Sequence, residues 1–132
     1  MSNKIFFLNF GHASTPHISG EDVEVVRKDI TVQLQDPSDP AEITATALDL
    51  AASIAADLAD YRKKGYLVVV GLPGASAVAV AIAMALGGLL GFVPLSVIGT
   101  KQNGSFVYDL TRAFDPGDIR DKARFLRGQF GL

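Results

Sequence analysis

Short runs of apolar residues alternate along the chain with longer stretches in which apolar residues recur every three or four positions. The short runs are rich in β-branched and aromatic residues and end at glycine, proline or polar turns, which is typical of strands. They are residues 4–10, 23–34, 66–70, 93–100 and 105–110. The first and third are apolar throughout and predict strands buried on both faces, whereas the second alternates and predicts a more exposed strand.

Three longer stretches predict helices. Residues 41–64 carry apolar side chains at helical spacing between an Asp-Pro pair suited to begin a helix and a glycine suited to end it. Residues 75–90 are apolar all round, which is expected of a helix packed deeply within a domain or between subunits. A last helix is predicted over residues 115–127, again opened by Asp-Pro.

The resulting order, β-β-α-β-α-β-β-α, places helical crossovers between apolar strands and predicts an α/β fold. We expect a Rossmann-like, mostly parallel sheet flanked by helices, with a C-terminal antiparallel hairpin around the Asn-Gly turn of residues 101–104. No linker or repeat divides the chain, so residues 1–132 are expected to form one domain. The alternative of a membrane span within residues 65–100 is disfavoured by the Gly-Leu-Pro-Gly break.

Composition narrows the classes of partner. The chain has no cysteine, which excludes disulfides, thiolate metal sites and a cysteine nucleophile. A formal net charge of −2 argues against duplex nucleic acid, which requires a basic surface. A small anionic ligand remains open, because backbone N–H groups at a helix start bind phosphate without net positive charge. The N-terminus lacks the order of a signal peptide, so a cytoplasmic location is expected, with no membrane partner.

Two loops follow apolar strands at the edge where open α/β sheets bind ligands. The first, Asn9 to Pro16, offers an amide, an imidazole and hydroxyls. The second, Gly71 to Ser76, has glycines that allow close backbone approach just before a helix N-terminus. Neither matches a nucleotide-binding motif. We expect a ligand at these loops, and the alternative for the second is a plain turn that caps the helix at Ser76.

His12 is the candidate for proton transfer, because imidazole titrates near neutral pH; the alternative is a structural or exposed histidine. Ser14 beside it has no acid placed to complete a triad. Neither a metal nor another cofactor is expected, since the aspartates within residues 49–60 are better explained as a solvated helix face. The last helix carries an arginine stripe, formed by Arg120, Arg124 and Arg127. The simplest interpretation is a solvated surface, and the alternatives are the rim of an anion-binding site or a subunit contact.

Three segments together resemble a known family. They are LNFGH at the end of the first strand, YLVVVGLPGASAV before the apolar helix, and the strand-hairpin GFVPLSVIGTKQNGSFVYDL. These segments resemble the small stand-alone CRISPR-associated proteins of type III systems, which have a CARF-like Rossmann fold. The resemblance implies a homodimer that binds cyclic oligoadenylate, usually the tetra-adenylate ring, across its two-fold axis, and some relatives cleave the ring without metal.

The same resemblance implies which residues contact the ligand. They would be Asn9, Gly11, His12 and Ser14 in the first loop, Gly71, Pro73, Gly74, Ala75 and Ser76 in the second, and Lys101, Gln102 and Asn103 closing over the ring from the hairpin. Relatives usually follow the first loop with a helix, for which Pro16 and Gly20 leave little room here. The first loop also has no lysine or arginine, which favours capture of the ring over cleavage.

Two other classes of function stay open. One is a different small-molecule or nucleotide enzyme that uses the same loops. The other is a homo-oligomeric interaction module whose apolar helix, residues 75–90, is an assembly surface, because a helix that is apolar all round needs cover.

Overall fold

The computed structural model describes residues 4–11, 15–17 and 23–132. The strands are β1 Lys4–Asn9, β2 Thr15–His17, β3 Glu24–Asp29, β4 Leu67–Leu72, β5 Leu95–Gln102 and β6 Ser105–Asp109. The helices are α1 Pro40–Lys63, α2 Ser76–Leu90 and α3 Pro116–Arg127, and a 3-10 turn at Leu110–Arg112 separates β6 from α3.

The strands form a single sheet in the order β2-β6-β5-β4-β1-β3. Strands β3, β1, β4 and β5 run parallel, β6 is antiparallel to β5, and β2 is parallel to β6. The protein therefore has an α/β, Rossmann-like fold with a mostly parallel sheet and a C-terminal antiparallel hairpin, as the order of apolar segments predicts.

Both crossover helices lie on the same face of the sheet. The chain passes from β3 beyond β1 to β4 and then onward to β5 in the same direction, and right-handed crossovers put successive helices on one face in that case. The core on this face joins Phe6 and Leu8 of β1 to Ile54 of α1 and Ile82 of α2. Alternate residues of the central strands thus face the helices.

The opposite face is covered by the hairpin, because the sheet curls. Its core contains Phe7, Val69, Val97 and Tyr108. Tyr108 lies on β6, three strands from β1, which would be about 14 Å away in a flat sheet. Its ring nevertheless contacts the ring of Phe7, with centroids 5.2 Å apart in an edge-to-face arrangement. Strand β6 is therefore folded back over the face that carries no crossover helix.

The helix and turn signals of the sequence are confirmed. The Asp39 carboxylate accepts a hydrogen bond from the Ala41 N–H at 3.1 Å, and the Asp115 carboxylate caps α3 in the same way. The turn between β5 and β6 consists of Asn103 and Gly104 alone, with φ of 51° and 81°. Positive φ at both central residues is the geometry of the tight hairpin turn that Asn-Gly favours.

The second predicted strand is shorter than expected. It ends at Asp29 because β1, against which it pairs, ends at the partner residue Asn9. The Ile30 N–H still donates to the Asn9 carbonyl at 2.9 Å, and the chain then leaves the sheet. Val32 and Leu34 pack against the helix-side core, so their alternation reflects packing by an irregular segment.

Strand β4 is longer than predicted, and the loop after it is correspondingly shorter. Gly71 and Leu72 belong to the strand, where they pair with Val97 and Ile98 of β5. The expected loop is thus reduced to residues 73–75. A glycine ends a strand only when the pairing with neighbouring strands also stops. Here β5 pairs with Gly71 on one side, and on the other side the Phe10 N–H, just after β1, donates to the Gly71 carbonyl at 3.0 Å.

The structure adds one short strand that the sequence does not predict, β2, within the first loop. Strand β5 also extends through Gln102, so Lys101 and Gln102 lie in the sheet ladder rather than in the turn. Within the described ranges, no helix is long and apolar enough to cross a membrane.

The absence of a side chain at Gly71 is required by the curled sheet. An added Cβ would lie 2.8 Å from the Phe7 Cζ and 2.8 Å from the Tyr108 Cζ, and both rings are buried. Gly71→Ala is therefore expected to lower the free energy of unfolding by about 1–3 kcal/mol, as overpacking does. Urea denaturation followed by circular dichroism measures the change.

The matched control is Gly74→Ala, since an added Cβ at Gly74 meets no described atom within 4 Å. An equal loss in both variants would contradict the role assigned to Gly71.

Candidate functional site

A cavity of about 490 Å³ opens at the carboxyl ends of β1, β3 and β4, beside the N-terminus of α2. Its walls come from the end of β1, from β3 and the irregular segment after it, and from the turn before α2. The walls include the polar residues and glycines Asn9, Gly11, Arg27, Asp29, Thr31, Gln33 and Gly74, and the apolar residues Phe10, Ile30, Val32, Leu34, Pro37, Pro73, Ala75 and Val78. This is the edge at which open α/β sheets bind ligands, and we call it the polar cavity.

Asn9 forms the fixed floor of the polar cavity. Its side chain is only 4% exposed. The Nδ2 atom donates to the Asp29 Oδ1 at 2.7 Å, and the Oδ1 atom accepts from the Gly11 N–H at 3.1 Å. Because both ends of the amide are engaged, Asn9 holds the end of β1, the start of the following loop and the end of β3 in one arrangement.

Arg27 and Asp29 bring opposite charges to the same wall. They are two residues apart on β3, so their side chains share a face, and the Arg27 Nε donates to the Asp29 Oδ1 at 2.7 Å. The hydrogen bond from Asn9, followed by that from Arg27, holds the pKa of the Asp29 carboxyl below its ordinary value despite partial burial. Asp29 is thus an ionised group that orients Asn9 and Arg27 toward the cavity.

The turn at residues 73–75 presents the N-terminus of α2 to the same cavity. Ala75 is the N-cap residue, and it supplies no side-chain hydrogen bond to the first turn. The alternative in which Ser76 caps the helix is wrong, because Ser76 is already the first helical residue. Uncapped N–H groups carry the positive end of the helix dipole, so the turn favours an anionic ligand at a wall where Arg27 is already paired with Asp29.

A second cavity, of about 340 Å³, lies on the other side of the same turn. It shares Gly11, Pro73 and Gly74 with the polar cavity, and its remaining walls are Leu72, Ile98, Gly99, Phe106 and Tyr108. We call it the aromatic cavity. Phe106 is 55% exposed there, and Tyr108 lies at the floor with its hydroxyl donating to the Leu72 carbonyl at 3.4 Å. Burial raises the pKa of the Tyr108 phenol, which stays a neutral hydrogen-bonding group.

The structure brings together most of the residues of the two expected loops, but not those of the hairpin. Asn9, Gly11, Pro73, Gly74 and Ala75 line the polar cavity. Gly71 lies beneath it in β4, and neither Ser76 nor the hairpin residues Lys101, Gln102 and Asn103 line either cavity. His12 and Ser14 lie outside the described residues.

Sequence reasoning missed Arg27, Asp29, Phe106 and Tyr108. Arg27 and Asp29 lie in the alternating segment that was interpreted only as an exposed strand, although charged residues two apart share one face of a strand. Phe106 and Tyr108 are also two apart, on the hairpin partner, and only the curl of the sheet turns them toward the ligand edge.

The acidic residues of α1 are engaged elsewhere or exposed. Asp57 binds Lys28 and Asp60 binds Lys64. Across the part of the chain that the structure describes, no group of three or more histidine or acidic side chains forms a metal site.

Comparison of the chain with protein-family models, with curated proteins and with solved structures finds no match. The family resemblance of the three sequence segments therefore stays a prediction.

The hydrogen bonds to Asp29 generate a prediction about its titration. Asn9→Ala and Arg27→Gln are each expected to raise the pKa of Asp29 toward the ordinary carboxyl value, because each removes a donor to the ionised form. Carboxyl carbon chemical shifts followed by NMR against pH measure it. Because the pKa of Asp29 is lower in the folded protein than in the unfolded chain, these hydrogen bonds raise the free energy of unfolding at pH values above the ordinary carboxyl pKa. That contribution is lost as the pH falls through the lowered pKa of the folded state.

Lys28→Gln is the control, because Lys28 is adjacent to Arg27 but binds Asp57 of α1. A pKa of Asp29 that is unchanged in both Asn9→Ala and Arg27→Gln would contradict the network.

Proposed function

We propose that this protein is a cytoplasmic, homodimeric receptor for cyclic tetra-adenylate in type III CRISPR immunity, which lowers the free messenger by holding it. The observation that carries the proposal is the pairing of the polar cavity with the aromatic cavity across one glycine-containing turn. The three sequence segments that resemble the family supply all the walls of the aromatic cavity, and they supply the walls of the polar cavity at the end of β1 and at the turn before α2. The other walls of the polar cavity come from β3 and the segment after it.

The chemistry of the two cavities fits alternating phosphate and base groups. The polar cavity offers the Arg27 guanidinium and the N-terminus of α2, which favour a phosphate or a ribose. The aromatic cavity offers the exposed ring of Phe106 beside Ile98, onto which a purine can stack. An oligoadenylate supplies both kinds of group at neighbouring positions.

A cyclic ligand explains why two copies would share one site. Each chain offers one polar and one aromatic cavity, which accommodate a repeating part of the ring and not the whole of it. A tetra-adenylate ring has two-fold symmetry, so it matches a two-fold homodimer whose copies present the same surface. The overall charge of −2 does not oppose this, because the N-terminus of α2 and the Arg27–Asp29 pair face the ligand, and no cluster of anions among the described residues does.

Holding the ring is favoured over cleaving it. Cleavage by a ribose hydroxyl needs a group that accepts its proton, and efficient proton transfer requires a pKa near the working pH. Asp29 has a lowered pKa and Tyr108 a raised one, so each is poorly matched. Lys101 lines neither cavity. His12 remains the candidate for slow cleavage, which is the alternative outcome.

Binding and cleavage are separated by one experiment with labelled cyclic tetra-adenylate. We expect saturable binding with one ring per two chains, measured by isothermal titration calorimetry, and an intact ring recovered after prolonged incubation. If linear products form with the wild-type protein and disappear with His12→Ala, the function is ring cleavage and not sequestration. No binding at micromolar protein would overturn both.

Arg27 is expected to supply much of the affinity. Arg27→Gln should weaken binding of cyclic tetra-adenylate by roughly tenfold or more, since a hydrogen bond to a charged group contributes about 1.5–3 kcal/mol. Arg112→Gln is the matched control, because Arg112 is an exposed arginine of the 3-10 turn that lines neither cavity. Equal affinities of the two variants would exclude the polar cavity as the phosphate site.

Phe106 is expected to bind a base by stacking. Phe106→Ala should weaken binding of the ring by about fivefold to a hundredfold, since base stacking on an aromatic side chain is worth about 1–3 kcal/mol. Phe125→Ala is the matched control, because Phe125 is an exposed aromatic residue on α3. An unchanged affinity in Phe106→Ala would remove the aromatic cavity from the ligand site.

A further inference from the structure

Helix α3 has an apolar stripe that the described residues of its own domain do not cover. No residue of α3 is buried, although Ile119, Ala123 and Leu126 recur at helical spacing along one side. Arg120, Arg124 and Arg127 follow the same spacing directly beside that stripe. A helix with this pattern is stabilised mainly by packing of its apolar side, so α3 requires a partner surface.

The outer surface of the α1–α2 layer is a second uncovered apolar surface. Helix α2 contains no charged residue, and its outward side chains Val80 and Met84 are 64% and 67% exposed. Leu48 of α1 is exposed in the same layer. Of the acidic residues within 45–61 of α1, Asp57 and Asp60 bind Lys28 and Lys64, whereas the exposed Asp49 forms no ion pair among the described residues. The layer is thus apolar with an acidic margin at Asp49.

We propose that α3 of one copy packs on the outer α1–α2 surface of a second copy, and that the exchange is reciprocal. The apolar stripe of α3 would cover Val80 and Met84. The arginine stripe would lie toward the acidic margin contributed by α1. Two uncovered surfaces in one chain are then covered by two copies, which gives a closed dimer with two-fold symmetry.

The unpaired charges are complementary. Within the described ranges Arg124 and Arg127 form no ion pair, and neither does Asp49. The other cations of α3 are already neutralised within the helix, since Lys122 binds Asp118 at 2.8 Å and Arg120 lies 3.9 Å from Asp121. Two arginines therefore remain on α3 to meet the acidic margin of the second copy.

A second copy fits α3 better than a membrane surface does. Amphipathic helices that bind anionic lipid carry mainly lysine and arginine on the polar side. Helix α3 has Asp118 and Asp121 beside its four basic residues, so its polar side is mixed in charge. The chain itself, in contrast, offers an apolar surface whose margin has the opposite charge to the arginine stripe.

Engineered cysteines test the contact directly, because the natural chain has none. Met84→Cys and Leu126→Cys are prepared as separate single variants, mixed without ligand and oxidised. We expect a mixed disulfide dimer between the two variants as the main product, identified by mass spectrometry. Phe125→Cys replaces Leu126→Cys as the matched control, since residue 125 is highly exposed but faces about 100° away on the helix.

Three results would overturn the proposal. One is a product dominated by disulfides between two copies of Met84→Cys, which would place α2 against α2. Another is an intramolecular disulfide in a double variant that carries both Met84→Cys and Leu126→Cys in one chain, which would place α3 on its own domain. The third is equal cross-linking by Phe125→Cys and Leu126→Cys.

Charge reversal gives an independent measurement that needs no cysteine. Arg124→Glu is expected to raise the dimer dissociation constant at least tenfold in sedimentation equilibrium, and Asp49→Arg in the same chain is expected to restore part of the affinity. A wild-type protein that stays monomeric at 100 μM, or that sediments with anionic vesicles, would contradict the dimer. The experiments use ligand-free protein, so their outcome is independent of cyclic tetra-adenylate binding.

Discussion

The handedness of the two crossovers determines the rest of this structure. Because the chain moves in one direction from β3 to β4 to β5, α1 and α2 must lie on the same face of the sheet. The central strands nevertheless carry large apolar residues on both faces, and Phe7 on the uncovered side is fully buried. The remaining part of the chain therefore has to cover that face, and it does so by curling the sheet so that β6 returns over it.

The curl in turn shapes the ligand edge. Strands β5 and β4 lie between Tyr108 of β6 and Phe7 of β1. The Tyr108 ring can reach the Phe7 ring only if β4 has no side chain where the rings meet, and Gly71 of β4 meets this requirement. Gly11, in the loop after β1, must also lack a side chain, because an added Cβ there would lie 1.8 Å from the Tyr108 hydroxyl oxygen. The glycines of the two loops thus serve the packing of the hairpin before they serve any ligand, and the aromatic cavity is a consequence of that packing.

Local signals in the sequence predicted the elements well where a local cause controls them. The Asp-Pro pairs begin α1 and α3, and the Asn-Gly pair makes the tight hairpin turn, because each acts through its own backbone and nearest neighbours. The ends of β3 and β4 were predicted poorly, since they depend on where the neighbouring strands stop. Strand β3 ends at Asp29 because its partner strand β1 ends there. Strand β4 continues through Gly71 because β1 and β5 still pair with it at that residue.

The candidate site could be predicted only in part for the same reason. Asn9 is the last residue of β1 and Gly74 lies two residues after β4, so the parallel-sheet rule locates them at the ligand edge. Arg27 and Tyr108 reach that edge through pairing of β3 with β1 and through the curl, neither of which a single strand reveals. The hairpin residue Lys101, for which the family resemblance implies a ligand contact, lies in the β5 ladder and lines neither cavity.

The two surfaces to which partners are assigned lie at different ends of the sheet. The polar and aromatic cavities are at the carboxyl ends of β1 and β4, whereas α3 begins just after Phe114, which pairs with Ser96 near the amino end of β5. A contact through α3 therefore leaves the ligand edge open, so the copy that would share a ring is a different copy from the one bound through α3, and the ligand would join such dimers into a higher assembly. On the face where the described residues form no crossover helix, the hairpin builds the aromatic cavity. The outer α1–α2 surface and the last helix stay free to pair with another copy.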